Sequence, residues 1–273
     1  MNFTYEDNWV NYEIAHHPER PNSIDYINSI FTDFIELKGD RLFGEDPAII
    51  GGIASIKGIA VTVIGNVKGH TIEERMKTNF SMAKPEGYRK AIRLMKQAEK
   101  FNRPVICFVD TVGAHPGREA EERFQGGAIA NCIAQAIELK VPIISVLIGD
   151  GGSGGAIALS VADYLVALEH SNLCVISPKA CASILWKDTQ RYRDAANMLR
   201  SNAVSLADFG VANCIICEPG EGAHTNPNIM AQRISDLLYQ RLIILNRTSI
   251  NKLIKQRKKK FNQLGNAYIT QDD

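Results

Sequence analysis

Glycine is concentrated in one short stretch of the 273-residue sequence, and this stretch offers backbone rather than side-chain chemistry. Residues 149–156 read Gly-Asp-Gly-Gly-Ser-Gly-Gly-Ala and lie between an apolar run and a predicted helix. Glycine lets a ligand approach the main chain closely. A helix that begins here directs free N–H groups and the positive end of its dipole outward. The stretch therefore predicts a site for an oxyanion, a phosphate or an enolate.

Three other interpretations compete for this stretch. The glycines could form only a tight packing turn, although so many of them together cost conformational entropy on folding. A phosphate-binding P-loop requires a Gly-Lys-Ser/Thr ending, which is absent. Gly151-x-Ser153-x-Gly155 also matches the nucleophile elbow of α/β-hydrolases, a weak pattern that needs an acid and a histidine further along the chain. The candidates for these partners are Asp163, Asp194 or Asp208 for the acid and His224 for the histidine.

A second loop, residues 110–117, follows the preceding apolar run and reads Asp-Thr-Val-Gly-Ala-His-Pro-Gly. In open α/β sheets ligands bind at the carboxyl ends of strands, so the two loops are expected to form one site. His115 is a candidate general base, although a loop histidine without a partner is more often solvated. Arg123 ends a charge run, residues 118–123, that is typical of a solvated helix start.

Cysteine and lysine clusters give weaker signals. Cys214 and Cys217 flank two isoleucines without a second ligand pair at zinc spacing, so buried, reduced thiols are expected. The basic run 252–261 could contact nucleic acid or nucleotide phosphates, but it is more typical of the solvated face of a terminal helix. The formal net charge of +1 gives no electrostatic reason to expect nucleic acid or an anionic membrane as a partner. Without a recognisable signal peptide or spanning apolar run, a cytoplasmic protein is expected.

The two loops need strands and helices to bring them together, and hydrophobic periodicity predicts these elements. Helices are predicted over residues 23–38, 85–102, 119–139, from the glycine stretch to 162, and 228–246, the first capped by Asn22 or Ser23. Strands are predicted over 48–56, 59–65, 105–109, 141–148, 164–168, 173–177 and 211–217. A tight turn is expected at Lys57-Gly58 and a left-handed helix cap at Gly210. Residues 68–82 are expected to be irregular and at the surface.

Buried apolar strands that alternate with helices favour an α/β fold with parallel pairing and helices on the faces of the sheet. The early hairpin followed by a helix departs from a doubly wound sheet and indicates repeated ββα units that spiral, as in the crotonase fold. The length favours one domain over 1–273. Its core would span about 20–250, preceded by an N-terminal segment and followed by a basic helical tail at 250–273.

Over nearly its whole length the chain resembles the carboxyltransferase α subunits of bacterial acetyl-CoA carboxylases. The stretches that carry the resemblance are residues 20–26, 37–41, 50–53, 79–80, 85–91, 110–111, 120–123, 151–156 (Gly-Gly-Ser-Gly-Gly-Ala), 175–178, 181–187 (Cys-Ala-Ser-Ile-Leu-Trp-Lys) and 222–224. Together these stretches are highly specific, whereas any one of them alone is not.

The resemblance implies a crotonase-like fold and an α2β2 heterotetramer with its active site between α and β subunits. It implies transfer of a carboxyl group from carboxybiotin, held on a biotin carboxyl carrier protein, to acetyl-CoA, which gives malonyl-CoA for fatty acid synthesis. The β partner would supply the other oxyanion hole, much of the CoA site and a zinc ribbon, so no metal is expected in this chain. Such a site needs no side chain as its main base, because backbone N–H groups stabilise oxyanions and hold the ligands in register.

Carried over residue by residue, the resemblance implies that Gly154 and Gly155 form the oxyanion hole for the biotin carbonyl. Gly151 and Gly152 would shape or supplement it. The substrate-binding residues that it implies are Gly113, Ala114, His115, Arg123 and Ala156.

The sequence departs from the family pattern close to this site. The family usually has tyrosine at His115, glutamate at Asp150, glycine at Ser81, glutamate-glycine at Lys179-Ala180, and glycine, glutamine and serine at Phe124, Gln125 and Gly126. These departures leave open a diverged paralogue that acts on another acyl-CoA, or a non-catalytic partner subunit. A stand-alone crotonase-type hydratase, or a hydrolase that uses Ser153, is a third hypothesis.

Overall fold

The computed structural model describes residues 8–265, which are built around one mixed sheet. Its strands are β1 (Thr32–Glu36), β2 (Ile49–Ile56), β3 (Ile59–Asn66), β4 (Val105–Thr111), β5 (Ile143–Gly152), β6 (Tyr164–Leu168), β7 (Asn172–Cys174) and β8 (Cys214–Ile216). The strand order is β1-β2-β3-β4-β5-β6-β8, and β7 pairs with the carboxyl end of β5. The first three strands pair antiparallel, whereas every pairing from β3 onward is parallel.

Helices cover both faces of this sheet. The first six are α1 (Asn8–Ala15), α2 (Ser23–Ile30), α3 (Ile72–Lys77), α4 (Pro85–Lys100), α5 (Arg118–Glu122) and α6 (Gln125–Glu138). The others are α7 (Ser153–Ser160), α8 (Pro178–Trp186), α9 (Tyr192–Leu199), α10 (Ala203–Asp208), α11 (Pro227–Asn246) and α12 (Ile250–Gln263). Short 3₁₀ turns occur at Asn79–Ser81, Thr189–Arg191 and Ala223–Thr225.

The period of two along the central strand β4 creates two separate cores. Cys107 and Val109 point to one face, where they pack in a cluster with side chains of α4, α6 and α7. Ile106 and Phe108 point to the other face, where α2 and α11 cover them. A strand that is apolar on both faces must be covered on both, so this central strand is buried along its whole length.

The early hairpin was predicted correctly. Strands β2 and β3 pair from Ile56↔Ile59 to Ile49↔Asn66. The turn residues Lys57 and Gly58 both have positive φ, 47° and 82°, as a two-residue hairpin turn requires.

The helix predicted over residues 23–38 was wrong in its second half. Helix α2 ends at Ile30, and its capping box on Asn22 and Asp25 fixes only the start. Phe31 adopts an extended conformation, and the chain then pairs with β2 as strand β1. The helical spacing of apolar residues persists beyond the helix, but the hydrogen bonds offered by the edge of the β2–β3 hairpin outweigh it.

Several other boundaries also differ from the predictions. The helix predicted over 119–139 is two helices, α5 and α6, separated by Phe124 at φ 71°. Residues 68–82 contain α3 and a 3₁₀ turn, and the strands predicted at 173–177 and 211–217 are each only three residues long. Gly210 does adopt the left-handed conformation, at φ 74°. The basic tail forms α12, and residues 1–7 and 266–273 lie outside the described residues.

Candidate active site

The two glycine-containing loops meet at the carboxyl ends of β4 and β5. A Cβ atom added to Gly155 would lie 2.7 Å from the carbonyl carbon of Gly113 and 2.8 Å from the backbone nitrogen of Ala114. A Cβ atom on Gly152 would overlap the carbonyl group of Val112. Only glycine permits backbones to approach this closely. The crossing of these two loops is called the glycine crossing below.

The start of helix α7 supplies the polar groups of the glycine crossing. Gly152 is the N-cap residue and provides no side-chain hydrogen bond to the first turn. The backbone N–H groups of Ser153, Gly154 and Gly155 have no carbonyl acceptor within the helix, so they can bind a ligand. Ser153 has φ 49°, a conformation that side chains rarely adopt, and it marks a sharp change of direction from strand to helix. The geometry thus presents uncapped donors beside a close backbone contact.

Gly151 and Gly152 belong to strand β5 rather than to a free loop. Gly151 pairs with Leu173 on one side and with Thr111 on the other, and Gly152 pairs with Cys174. The loop predicted over residues 149–155 is therefore an error of assignment, because β5 continues to Gly152. The pairing fixes the direction in which α7 leaves the sheet.

The backbone of residues 81–83 holds the loop that carries Gly113 and Ala114. The Thr111 hydroxyl donates to the carbonyl of Ser81 at 2.6 Å, and the backbone N–H of His115 donates to the carbonyl of Ala83 at 3.0 Å. Residues 79–81 themselves have positive φ values of 49°, 55° and 63°. A run of three left-handed residues without glycine is costly, so neighbouring structure must enforce it.

His115 lies in the second loop, but its ring is held within that loop. Its Nδ1 accepts a hydrogen bond from the backbone N–H of Gly117 at 3.0 Å, and its Nε2 lies 3.8 Å from a carboxylate oxygen of Glu119. The side-chain amide of Gln125 donates to the carbonyl of His115 at 3.0 Å and to that of Ala83 at 2.8 Å. Sequence reasoning noted Gln125 only as a departure and did not identify this anchoring contact.

The side chain of Arg123 forms an ion pair, and that of Ala156 lies in the core. The Arg123 guanidinium pairs with Glu86, Nε to Oε1 at 2.8 Å, and stacks on Phe43 at 4.5 Å. Although burial opposes ionisation, Arg123 and Arg89 keep the pKa of the Glu86 carboxyl below its ordinary value. The methyl group of Ala156 is fully buried in the core, which leaves only its backbone for a role in the site.

Helix α1 and the residue that follows it contribute to the site, and sequence reasoning missed both. His16, just after the end of α1, lies within hydrogen-bonding distance of Asp150, Nε2 to Oδ2 at 2.8 Å. The rings of Trp9 and Tyr12 stack, and the tilted ring of His16 contacts Tyr12. The spacing of these three rings is the one local signal that could have indicated a buried helix face. His16 and Asp150 are more than 130 positions apart, so no sequence pattern links them.

A small cavity of about 60 Å³ separates α1 from the glycine crossing. Its lining residues include Tyr12, Asp150, Ser153, Cys174 and Ile176. Burial, together with the charge of Asp150, raises the pKa of the Tyr12 phenol well above its usual value. The same causes raise the pKa of the Cys174 thiol to about 12. Both groups therefore stay protonated at neutral pH.

The hydrolase interpretation loses its partners in the structure. Each acid proposed for it forms an ion pair elsewhere: Asp163 with Arg257, Asp194 with Arg191, and Asp208 with Arg200. His224 stacks on His17 with ring centroids 3.7 Å apart. Ser153 has the backbone conformation of an elbow without the triad.

Other chemistry-bearing residues fall outside the site. None of the six cysteines forms a disulfide. Cys107, Cys132 and Cys181 are buried, whereas Cys174, Cys214 and Cys217 are half-buried, so the expectation of a buried pair at 214 and 217 was too strong. Within residues 8–265, no group of three or more His, Cys, Asp or Glu side chains is arranged to hold a metal ion. In that same range, none of the helices is long and apolar enough to cross a bilayer.

Comparisons with known proteins find relatives over nearly the whole chain. A family model described as acetyl co-enzyme A carboxylase carboxyltransferase-like matches residues 2–265. The acetyl-coenzyme A carboxylase carboxyl transferase subunit alpha of Clostridium botulinum is 51% identical over 257 residues, 94% of each chain. The protein of the same name from Clostridium beijerinckii is 52% identical over 260 residues, which are 95% of this chain and 96% of that one.

Solved structures show the same fold at low sequence identity. A transcarboxylase 12S structure, with methylmalonyl-coenzyme A and methylmalonic acid bound, has a TM-score of 0.66 at 17% identity. This match covers 88% of the present chain and 46% of the other, so the chain spans about half the length of that protein. A Pseudomonas malonate decarboxylase hetero-tetramer in complex with coenzyme A also gives 0.66, at 16% identity, and covers 84% and 90%. The crotonase-like α/β fold was predicted correctly.

Proposed function

The chain belongs to the acetyl-CoA carboxylase carboxyltransferase α-subunit family, and from this premise we propose that it transfers a carboxyl group to acetyl-CoA and so forms malonyl-CoA. It would do so as one half of an enzyme, together with a β subunit. The product would enter fatty acid synthesis.

The observation that carries the proposal is the glycine crossing itself. Gly155 lies against Gly113 and Ala114 where the uncapped end of α7 presents its N–H groups. A carboxyl transfer creates negative charge on carbonyl oxygens, and preorganised N–H donors stabilise such charge in the transition state. The site needs no acid–base pair of side chains for this task, and the described residues around the crossing offer backbone donors in preference to such a pair.

Individual roles follow from these positions. The N–H groups of Gly154 and Gly155 would donate to the ureido carbonyl of biotin, and Gly151 and Gly152 would set the direction of the helix end that carries them. Gly113 and Ala114 would form the opposite wall, held by Thr111 and by the backbone of residues 81–83.

Biotin suits the start of α7 because the N-cap residue Gly152 has no side chain there, so the backbone donors of the first turn carry no side-chain cap. The bound biotin supplies the carboxyl group that is transferred. The residues of this chain would bind its carbonyl, orient its ring and exclude water from it. A biotin carboxyl carrier protein would deliver it, and the β subunit would complete the CoA site in an α2β2 assembly.

One observation favours a second candidate function, a partner subunit or a paralogue with another acyl-CoA. Phe124 has a left-handed backbone and a side chain that is 68% exposed, and it directly precedes Gln125, which anchors His115. A bulky ring here changes the surface next to the second loop, where a different acyl chain or a different partner could be selected.

The experiment that tests the proposal is co-expression of the chain with its cognate β subunit, followed by an assay of malonyl-CoA formation from a carboxylated biotin donor. Activity that requires both chains is the expected result. A well-formed complex without activity would contradict the proposal, and assays with other acyl-CoA substrates would then test the second candidate.

The Ser153→Ala variant of the same complex separates transferase from hydrolase chemistry. The transferase should keep its rate within a few-fold, because the N–H at this position remains. A loss of about 10³-fold or more would instead identify Ser153 as a nucleophile and overturn the assignment.

A further inference from the structure

The hydrogen-bonding partners of the His16 ring determine how many protons the contact between His16 and Asp150 must hold. Nδ1 of His16 lies 2.7 Å from the carbonyl oxygen of Tyr12, and Nε2 lies 2.8 Å from Oδ2 of Asp150. A carbonyl oxygen can only accept, and an ionised carboxylate can only accept. Both ring nitrogens must therefore carry a proton when Asp150 is ionised, or Asp150 must carry one itself. In either description the pair holds one proton more than neutral histidine and carboxylate can provide.

The surroundings of Asp150 show why this extra proton matters. Its side chain is only 5% exposed, and its backbone N–H donates to Oδ1 of the second buried carboxylate, Asp110, at 2.9 Å. Asp110 has its own cation, since Nζ of Lys68 lies 3.2 Å from the same oxygen. Asp150 faces His16 in the corresponding position. The buried Asp110 is thus matched by Lys68, and the buried Asp150 by His16.

Asp150 is also connected to the glycine crossing through the backbone of β5. It is the residue of β5 immediately before Gly151 and Gly152, and it pairs with Asn172 of β7. A buried carboxylate that loses its counter-charge is unstable and tends to move toward water or to take up a proton. Such a movement would shift the strand end from which α7 starts.

We propose that His16 is a positioning residue for carboxyl transfer: its ring holds Asp150, and through Asp150 it keeps the N–H groups of Gly154 and Gly155 in place. This inference rests on the proposed function and assigns a role within it to helix α1. A displacement of about 1 Å at reacting groups can cost on the order of 10² in rate. A residue that acts through Asp150 can therefore affect turnover without touching the substrate.

The other titratable groups around the pair do not obscure its behaviour. The Tyr12 phenol on α1 and the Cys174 thiol on β7 have raised pKa values, Cys174 to about 12, so both stay neutral between pH 6 and about 9. Asp110 on β4 is matched by Lys68. Helices α8 and α9 direct Lys179 and Tyr192 at the ring of Trp9.

The effect of substitutions at position 16 follows from this contact. A neutral side chain without a cationic donor for Asp150 should loosen the strand end before Gly151, whereas a cation that donates to Asp150 should restore it.

The test uses three variants in the full αβ complex. His16→Gln is expected to lower kcat by about 10- to 100-fold with a smaller change in KM. His16→Arg, with His16→Lys as the alternative if the longer guanidinium does not fit, should restore kcat to within a few-fold of the wild type. The control is His70→Gln, since His70 forms a similar contact with Asp25 at 2.7 Å on the surface, with both side chains about 40% exposed. It should leave kcat and KM unchanged.

A measurement on the full chain alone separates this inference from the proposed function. In NMR hydrogen exchange, the Gly154 and Gly155 amides should exchange faster in His16→Gln than in the wild type. Unaltered exchange would overturn the inference even if the complex is active. A His16→Arg variant as slow as His16→Gln would overturn it too, while an inactive complex with the expected exchange result would overturn only the proposed function.

Discussion

The two ends of the same sheet are built on opposite principles. At the carboxyl end, β5 finishes in Gly151 and Gly152, and the strained Ser153 and the uncapped N–H groups of α7 follow. At the amino end, Arg257 of α12 is 1% exposed and donates to Asp163 and to the carbonyls of Ala136, Leu139 and Val141. The first end keeps polar groups free for a ligand, whereas the second satisfies them. We expect substitutions at the carboxyl end to affect turnover and those at the amino end to affect stability.

Removal of the arginine at the amino end should have the largest effect. Arg257→Ala leaves Asp163 buried without its partner and frees three carbonyls, so the free energy of unfolding should fall by about 3–5 kcal/mol. Urea denaturation of the chain measures this. The control is Lys258→Ala, because the pair of Lys258 with Glu138 is about half exposed and should be worth about 1 kcal/mol or less. Equal losses in the two variants would refute the distinction between the ends.

Substitution of Gly155 at the carboxyl end should mainly affect activity. The added Cβ of Gly155→Ala meets the backbone of Gly113 and Ala114, so the crossing must open, and the transfer rate should fall by about 10²–10³-fold. The matched control is Gly154→Ala, whose added Cβ has its nearest neighbour at 3.7 Å, on the side chain of Ile129, and which keeps its N–H. Steady-state kinetics of the complex compare the two. Similar rates would show that the close approach is unimportant.

A smaller, pH-dependent effect tests whether electrostatic interactions at the carboxyl end of the sheet contribute to the free energy of unfolding. Burial opposes ionisation of Asp40, but the backbone N–H groups of Leu42, Phe43 and Gly44 and the side chain of Arg89 lower its pKa to about 2. A lowered folded-state pKa means that this stabilisation is present above pH ~4 and is lost as pH falls toward ~2, with about 2 kcal/mol at stake.

The variant Asp40→Asn should show a flatter loss of stability over this acid range. Thermal unfolding between pH 2 and pH 5, compared with the wild type, measures the difference. Parallel curves would mean that Asp40 contributes no pH-dependent stability.

The part of the site that was predictable from sequence is the part made by consecutive residues. Apolar runs identify β4 and β5, and parallel strands bring their carboxyl ends together, so the meeting of the two glycine-containing loops could be foreseen. The hairpin and α4 were equally clear, because a turn signal and a long apolar stripe each act locally.

The missed features depend on partners far away in sequence. Asp150 gave no hint of His16, since nothing in either local pattern encodes a contact across 134 positions. Arg257 was read as part of a solvated basic face. Leu253 and Phe261 flank it at four-residue intervals, and that apolar spacing was the available sign that this one cation points inward.

The strand β1 was missed for a related reason. Its apolar residues continue the spacing of α2, so a helix fitted the local pattern better than a strand. Only the free edge of β2, which pairs Ile35 with Ile53, decides between the two. Long-range hydrogen bonding outweighed local propensity here.

The position of α1 has a consequence for the order in which the protein can fold during its synthesis on the ribosome. Asn8 bonds to Asn197 at 3.1 Å, and Arg20 pairs with Glu218, 198 residues later in the chain. At a synthesis rate of roughly 5–20 residues per second, the first helix emerges about 10–40 s before its last anchor exists. The aromatic face of α1 stays exposed during that interval, and the cavity beside the glycine crossing forms among the last events of folding. Nascent chains arrested before residue 218 should therefore carry an accessible N-terminal helix, a feature that chaperones and proteases can recognise.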